Sequence, residues 1–129
     1  MSREQLQTNF FRDEFTCKGE VCCDYSAPIS LELVDRLQEL RDLINEDYPG
    51  TPIIINSGFR CNIHNRNIGS SDGSQHPRGL AVDLRIPKIG KQRFLDYIKK
   101  IPAFERGGIG ESYNTFVHVD IRRTGRARW

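Results

Sequence analysis

Ser74-Gln75-His76-Pro77-Arg78-Gly79-Leu80-Ala81-Val82-Asp83-Leu84-Arg85 is the stretch whose reading decides the fold. Gly73-Ser74 at its start has the composition of a loop, and from Leu80 to Leu84 the residues alternate as they do in a half-buried strand. The chain therefore passes from a loop bearing His76 into a strand bearing Asp83. Further on, Phe116-Val117-His118-Val119-Asp120-Ile121 reads as a second strand. If the two strands are neighbours, Asp83 and His118 project toward the loop that carries His76. Two imidazoles and one carboxylate can hold Zn²⁺ through three protein ligands and leave a fourth position for water, as in a catalytic rather than a closed structural site. Two histidines and one aspartate in a small protein are more often unrelated surface or hydrogen-bonded residues, so the flanking sequence has to carry the distinction.

Working outward, Ser30 is a good N-cap for a helix to about residue 47, with Leu33, Val34, Leu37, Leu40 and Ile44 on one face. Tyr48-Pro49-Gly50 stops it. Ile53-Ile54-Ile55, within residues 52–56, is a short buried strand that ends at Ser57-Gly58. Residues 62–67 form a short helix, and residues 69–74 a loop. Residues 80–85 are a strand. Residues 92–101 carry Phe94, Leu95, Ile98 and Ile101 at helical spacing, and residues 108–111 and 115–121 supply the closing strands. This order predicts an α+β fold: a small, largely antiparallel sheet with helices packed on one face and the opposite face free to hold a metal.

Length and composition fit one domain. A chain of 129 residues can bury a modest core unaided. No run approaches the roughly 18 apolar residues of a membrane span, so membrane insertion is not expected. Met1-Ser2-Arg3-Glu4-Gln5 is polar and lacks the apolar core of a secretory leader. The expectation is synthesis in the cytoplasm, or a leader already removed. A net charge of +2 is too small to argue for nucleic acid. Arg122, Arg123, Arg126 and Arg128 form the one basic cluster, expected to be a solvated tail with at most a weak attraction for an anionic polymer. Cys22 and Cys23 are adjacent and would pair only through a strained ring. Cys17 bonded to one of them and Cys61 to the other are the plausible two-bridge arrangements. Free thiols in a reducing compartment and a four-thiolate zinc site are the competing readings. In each of these the cysteines serve structure.

His76 to Asp83 and His118 to Asp120 resemble the zinc D-Ala-D-Ala carboxypeptidase family of peptidoglycan peptidases, which includes phage endolysin peptidases and shares its metal site and fold with hedgehog domains. In that family Ser-x-His-x-x-Gly-x-Ala-x-Asp supplies two zinc ligands and a later strand histidine the third. Ser57-Gly58-Phe59-Arg60 is similar to the family's Ser-Gly-Tyr/Phe-Arg segment. Cys61 through Asn65, the Gly107-Gly108-Ile109-Gly110 run and Arg128-Trp129 fit its small, single-domain branch. The resemblance runs from about Phe10 onward, which makes residues 1–9 an N-terminal extension and 10–129 the zinc peptidase domain. It implies a zinc metallopeptidase that cleaves stem or cross-link peptides of bacterial peptidoglycan, of D-Ala-D-Ala carboxypeptidase or endopeptidase type. Such an enzyme would act on the cell wall as a monomer, in phage or prophage lysis with export through a separate pore, or in wall remodelling. The alternative is a non-catalytic zinc-containing module, hedgehog-like in binding or a phage structural subunit.

The resemblance also implies roles. His76, Asp83 and His118 are the zinc ligands. A carboxylate must take the proton of the attacking water and pass it to the departing amine. Asp120 is the first choice, because residues two apart on a strand share a face and it projects with His118. The rival role for Asp120 is to orient a ligand histidine. Several relatives carry the catalytic carboxylate three residues before the last ligand, and some a second histidine two residues before it. Thr115 and Phe116 stand there in this chain, which leaves Glu111 as a second candidate base and keeps the non-catalytic alternative open. Arg60 is expected to stabilise the developing oxyanion or bind the substrate carboxylate, a task suited to a permanently charged planar fork. Ser74 and Gln75 are placed to bind substrate backbone, or in the case of Ser74 to cap the loop. His64 is expected to be a packed histidine, and Tyr113 and Trp129 to line a groove or the core.

Overall fold

A computed structural model describes residues 4–19, 28–71 and 73–129. Two short strands, β1 (Gln5–Gln7) and β2 (Phe10–Phe11), pair antiparallel and lead through a 3₁₀ turn (Arg12–Phe15) toward the long helix α1 (Leu31–Asp47). Then follow β3 (Ile54–Ser57), α2 (Asn62–Asn67), a 3₁₀ turn (His76–Arg78), β4 (Ala81–Arg85), α3 (Lys91–Ile98), α4 (Pro102–Glu105), β5 (Gly108–Gly110), β6 (Val117–Asp120) and β7 (Ala127–Arg128). The main sheet has the order β3-β4-β6-β5-β7. Its pairs are antiparallel except β5 with β7, which run parallel. The fold is α+β, as expected.

Alternation along the strands separates a packed face from a chemical one. Ile55, Val82, Leu84, Ile109, Val117 and Val119 join the hydrophobic core together with the apolar residues of α1 and α3. The intervening residues point the other way. Register places Asp83 opposite His118 and His118 opposite Gly110. One step along, Ala81 faces Asp120 and Asp120 faces Gly108. Two of the three metal-site residues are thus cross-strand neighbours on one sheet face.

Helix α1 forms where the sequence places it. The Ser30 side chain accepts a hydrogen bond from the Leu33 N–H at 3.3 Å, answering one of the orphan donors of the first turn. Leu33, Val34, Leu37, Leu40 and Ile44 are all fully buried, each contributing on the order of 1.5–3 kcal/mol of hydrophobic stabilisation. The Tyr48 N–H bonds the Ile44 carbonyl and ends the helix. The N-terminal hairpin is tied to α1 by side chains. Gln7 donates to Asp35, while Asn9 and the buried Gln38 exchange two hydrogen bonds of 2.9 Å.

Residues 92–101 do not make one helix. Helix α3 stops at Ile98, and Ile101 is extended (φ −90°, ψ 111°) because Pro102 disfavours the helical conformation in the residue before it. Pro102 instead opens the one-turn α4, while Ile101 remains buried. None of the described helices is long and apolar enough to cross a membrane. Cys22 and Cys23 lie outside the described residues, and with them the proposed pairing; the Cys61 N–H approaches Cys17 Sγ at 3.5 Å.

Candidate metal centre

His76 opens a 3₁₀ turn that Pro77 pre-sets and Gly79 closes in the left-handed region, φ 70°. A side chain at position 79 would also bring a Cβ to 2.2 Å from the Pro28 carbonyl, so only glycine fits. The Gly79 carbonyl accepts the Ser30 N–H at 2.9 Å, which locks the turn against the start of α1. His76 is almost fully buried. Its Nδ1 lies 2.7 Å from the Gly58 carbonyl and its Nε2 3.2 Å from Asp83 Oδ1. His118 mirrors this from β6, with Nδ1 3.0 Å from the same Asp83 oxygen and Nε2 2.8 Å from Asp120 Oδ2.

The partners determine where the protons sit. A carbonyl only accepts, so His76 Nδ1 carries a hydrogen. Asp120 is fully buried and receives the Gly108 N–H at 2.8 Å, the Arg122 N–H at 3.1 Å and two guanidinium bonds from Arg122 at 2.9 and 2.7 Å. Such a carboxylate is ionised, so His118 Nε2 donates to it. With neutral imidazoles, His76 Nε2 and His118 Nδ1 then present bare lone pairs to a carboxylate oxygen. Three acceptors converging on one point call for a positive charge among them, which a proton on the imidazoles supplies in the metal-free protein and a metal ion would replace. The ligand atoms of His76, Asp83 and His118 lie within 4.8 Å of one another, a group that could hold a metal ion. Two imidazole nitrogens and a carboxylate are a donor set that suits Zn²⁺.

The charges follow the same geometry. Burial pushes the Asp83 carboxyl up, but hydrogen bonds from His118 and His76 outweigh it and hold Asp83 below the usual carboxylate range. Burial opposes charge on His118, yet bonds to Asp120 and Asp83 raise its pKa. Burial also opposes charge on Asp120, and His118 with Arg122 reverse that effect.

A cavity of about 550 Å³ opens on this group. His76, Asp83 and His118 line it, with Arg60, Arg122, the loop residues Ser74 and Gln75, and an aromatic wall of Tyr113, Phe116 and Trp129. Arg60 is 9% exposed, and its Nε has no hydrogen-bond partner among the described residues. Burial lowers its pKa, opposed first by the charge of Asp83. Ser74 Oγ accepts the His76 N–H at 3.3 Å, and Gln75 donates to the Gly73 carbonyl at 3.4 Å, so both brace the loop as well as face the cavity.

Other residues fall elsewhere. Asp120 shares the sheet face of His118 but is not among the cavity's lining residues, and its oxygens are engaged by His118, Gly108 and Arg122. Glu111 is exposed and not among the cavity's lining residues. His64 is half-buried and outside the metal group. The C-terminal arginines are only in part a solvated tail, because Arg122 and Arg128 fold back onto the domain. Arg122 grips Asp120, Arg128 donates to the carbonyls of Gly107, Ala127 and Glu105, and Arg126 pairs with Glu105 at 3.2 Å. Arg123, 3.6 Å from Glu32, and Arg126 remain exposed, with side chains 82% and 60% accessible. Arg122, Gly108 and Gly110 are the functional positions that sequence reading passed over. Gly108-x-Gly110 set against His118-x-Asp120 is the signal that could have found two of them. A Cβ at 108 would overlap the Asp120 carboxylate, and one at 110 the Trp129 indole.

Residues 8–120 match a protein-family model described as Peptidase M15, a span that holds the whole metal group. No curated protein matches the chain.

Proposed function

Because this chain belongs to the Peptidase M15 family, we propose that it is a zinc-dependent metallopeptidase that cleaves peptide bonds in the stem or cross-link peptides of bacterial peptidoglycan, as a D-Ala-D-Ala carboxypeptidase or an endopeptidase. Membership points to a metallopeptidase acting on the cell wall. The observation that carries the zinc reading is the convergence of His76 Nε2 and His118 Nδ1 on one Asp83 oxygen at a cavity wall.

His76 through Nε2, Asp83 through its carboxylate and His118 through Nδ1 would hold the metal. Bound Zn²⁺ supplies Lewis acidity and lowers the pKa of water toward neutrality. The chain's own residues do the rest. Gly58 and Asp120 fix the two imidazole rings from behind, so Asp120 is a positioning residue that acts through His118. Arg60 brings a guanidinium with an unanswered N–H to the cavity, where a scissile carbonyl gaining negative charge would receive it. Ser74 and Gln75 border the path along which substrate backbone would lie. Lysis of a host wall by a phage or prophage is the setting we favour, with wall remodelling as its close variant.

A second reading has one observation behind it. Asp83 is the sole carboxylate among the described residues that line the cavity, which suits a zinc-bearing binding module without a base. Incubation of the zinc-loaded protein with purified sacculi separates the two. Release of free amines supports the peptidase. Retained zinc and sacculus binding without amine release favours the module.

A further inference from the structure

Tyr113 and Trp129 form a contact whose direction chemistry dictates. An indole N–H only donates. The 2.8 Å approach of Trp129 Nε1 to the Tyr113 hydroxyl therefore makes the phenol oxygen the acceptor and leaves the phenol hydrogen for another partner. No described residue accepts that hydrogen. Tyr113 is half-buried and lines the cavity beside His76, Asp83 and His118.

The pair is also held in place. The Tyr113 ring stacks on Phe116, centroids 4.5 Å apart and planes 18° from parallel. Lys91, at the start of α3, bonds the carbonyls of Glu111 and Tyr113 and ties down the turn between β5 and β6. The indole lies against the ligand His118, with ring centroids 4.8 Å apart, and Arg122 stands over it at 5.4 Å. Gly110 leaves the space the indole fills, since a Cβ there would come within 2.7 Å of it. Asp83, the one carboxylate among the described residues that line the cavity, is already engaged by two imidazoles. Arg60 and Tyr113 are thus cavity donors that retain a hydrogen without an acceptor among the described residues.

We propose that Tyr113 is a catalytic residue whose hydroxyl, oriented by the Trp129 indole, donates a hydrogen bond to the scissile carbonyl oxygen together with Arg60. This rests on the peptidase reading. Donors fixed before the reaction and aimed at a developing negative charge lower the barrier without reorganising. Trp129 is a positioning residue in this scheme, because it touches Tyr113 and the ligand His118 but spends its own N–H on the phenol.

The test uses the zinc-loaded full chain and the variants Tyr113→Phe, Trp129→Phe and both together. Zinc content, melting temperature, kcat and KM for amine release from sacculi, and calorimetric affinity for a phosphinate analogue of D-Ala-D-Ala are measured for each. Tyr113→Phe keeps the stacked ring, so folding and zinc should stay intact. Its kcat should fall about 10- to 100-fold with KM within about twofold, and phosphinate affinity should fall in step. Trp129→Phe should show a smaller loss of the same kind, and the double variant should be no worse than Tyr113→Phe. Full kcat in Tyr113→Phe overturns the proposal, as does an additive loss in the double variant. A parent that releases no amine overturns the peptidase reading instead. The role of Tyr113 is then decided by phosphinate affinity alone, with an unchanged value in Tyr113→Phe counting against it.

Discussion

Arg60 holds a charge that no described residue answers with a hydrogen bond at Nε, and its burial works against that charge. A group kept in such a state costs stability and is expected to serve a ligand. Arg60→Gln should therefore leave the melting temperature unchanged or higher and zinc content intact, while peptide release falls about 10²-fold or more. A variant that melts much earlier would reveal a structural charge instead. Asp120 makes the opposite case, because every contact it has is internal. Asp120→Asn should weaken zinc binding about 10- to 100-fold, with activity recovering in excess zinc. Normal zinc affinity with no recoverable activity would return Asp120 to proton transfer. The metal group was legible at this scale because the loop-to-strand spacing sets Asp83 and His118 on one face. The role of Asp120 was not, since a carboxylate that orients His118 and one that enters the cavity occupy the same side of β6. Arg122 read as part of a solvated tail because nothing in Ile121-Arg122-Arg123 reveals that its side chain folds back onto a buried carboxylate.

Strands β5 and β6 divide the glycine positions into one that protects the fold and one that shapes the cavity. At Gly108 a methyl group would lie 2.2 Å from Asp120 Oδ2, and that carboxylate is fully buried with nowhere to go. Gly108→Ala should break the Asp120–Arg122 pair and cost about 3–5 kcal/mol, the range for opening a buried ion pair, with loss of zinc alongside. At Gly110 the obstacle is the Trp129 indole, a residue 39% exposed that can swing outward. Gly110→Ala should cost no more than about 1 kcal/mol and keep zinc, yet lower kcat by freeing the Tyr113 hydroxyl. Urea midpoints and zinc content for the two variants check this, and equal destabilisation would remove the distinction. Helix α1 was readable because its five apolar positions, Leu33 to Ile44, repeat over about three turns. The same rule overran the end of α3, where Ile101 is buried without being helical. The hairpin β1–β2 and strand β7 span two or three residues each, too few to show a period.

Across the whole molecule the core and the metal group are separate bodies, one on each face of the sheet. The core closes with no contribution from His76, Asp83 or His118, so chelation should lower the melting temperature without unfolding the protein. Zinc at a hundredfold excess over its Kd would add about 2.7 kcal/mol by mass action. The size of that increment should depend on pH in a direction the site dictates. Asp83 and Asp120 are held below the ordinary carboxylate range. Their share of metal-free stability is present at neutral pH and lost as pH falls through the lowered values. The pKa of His118 is raised above its ordinary 6.5, so its share is full below that value and fades as pH climbs through the raised one. Zinc needs His118 Nδ1 bare, and therefore competes with a proton over that same window. The difference in melting temperature between zinc-loaded and chelated protein should widen steadily from about pH 5 to about pH 8. In His118→Ala it should be small at every pH. A constant difference in the parent would mean that the metal displaces no proton from His118, and the ligand assignment on β6 would fall.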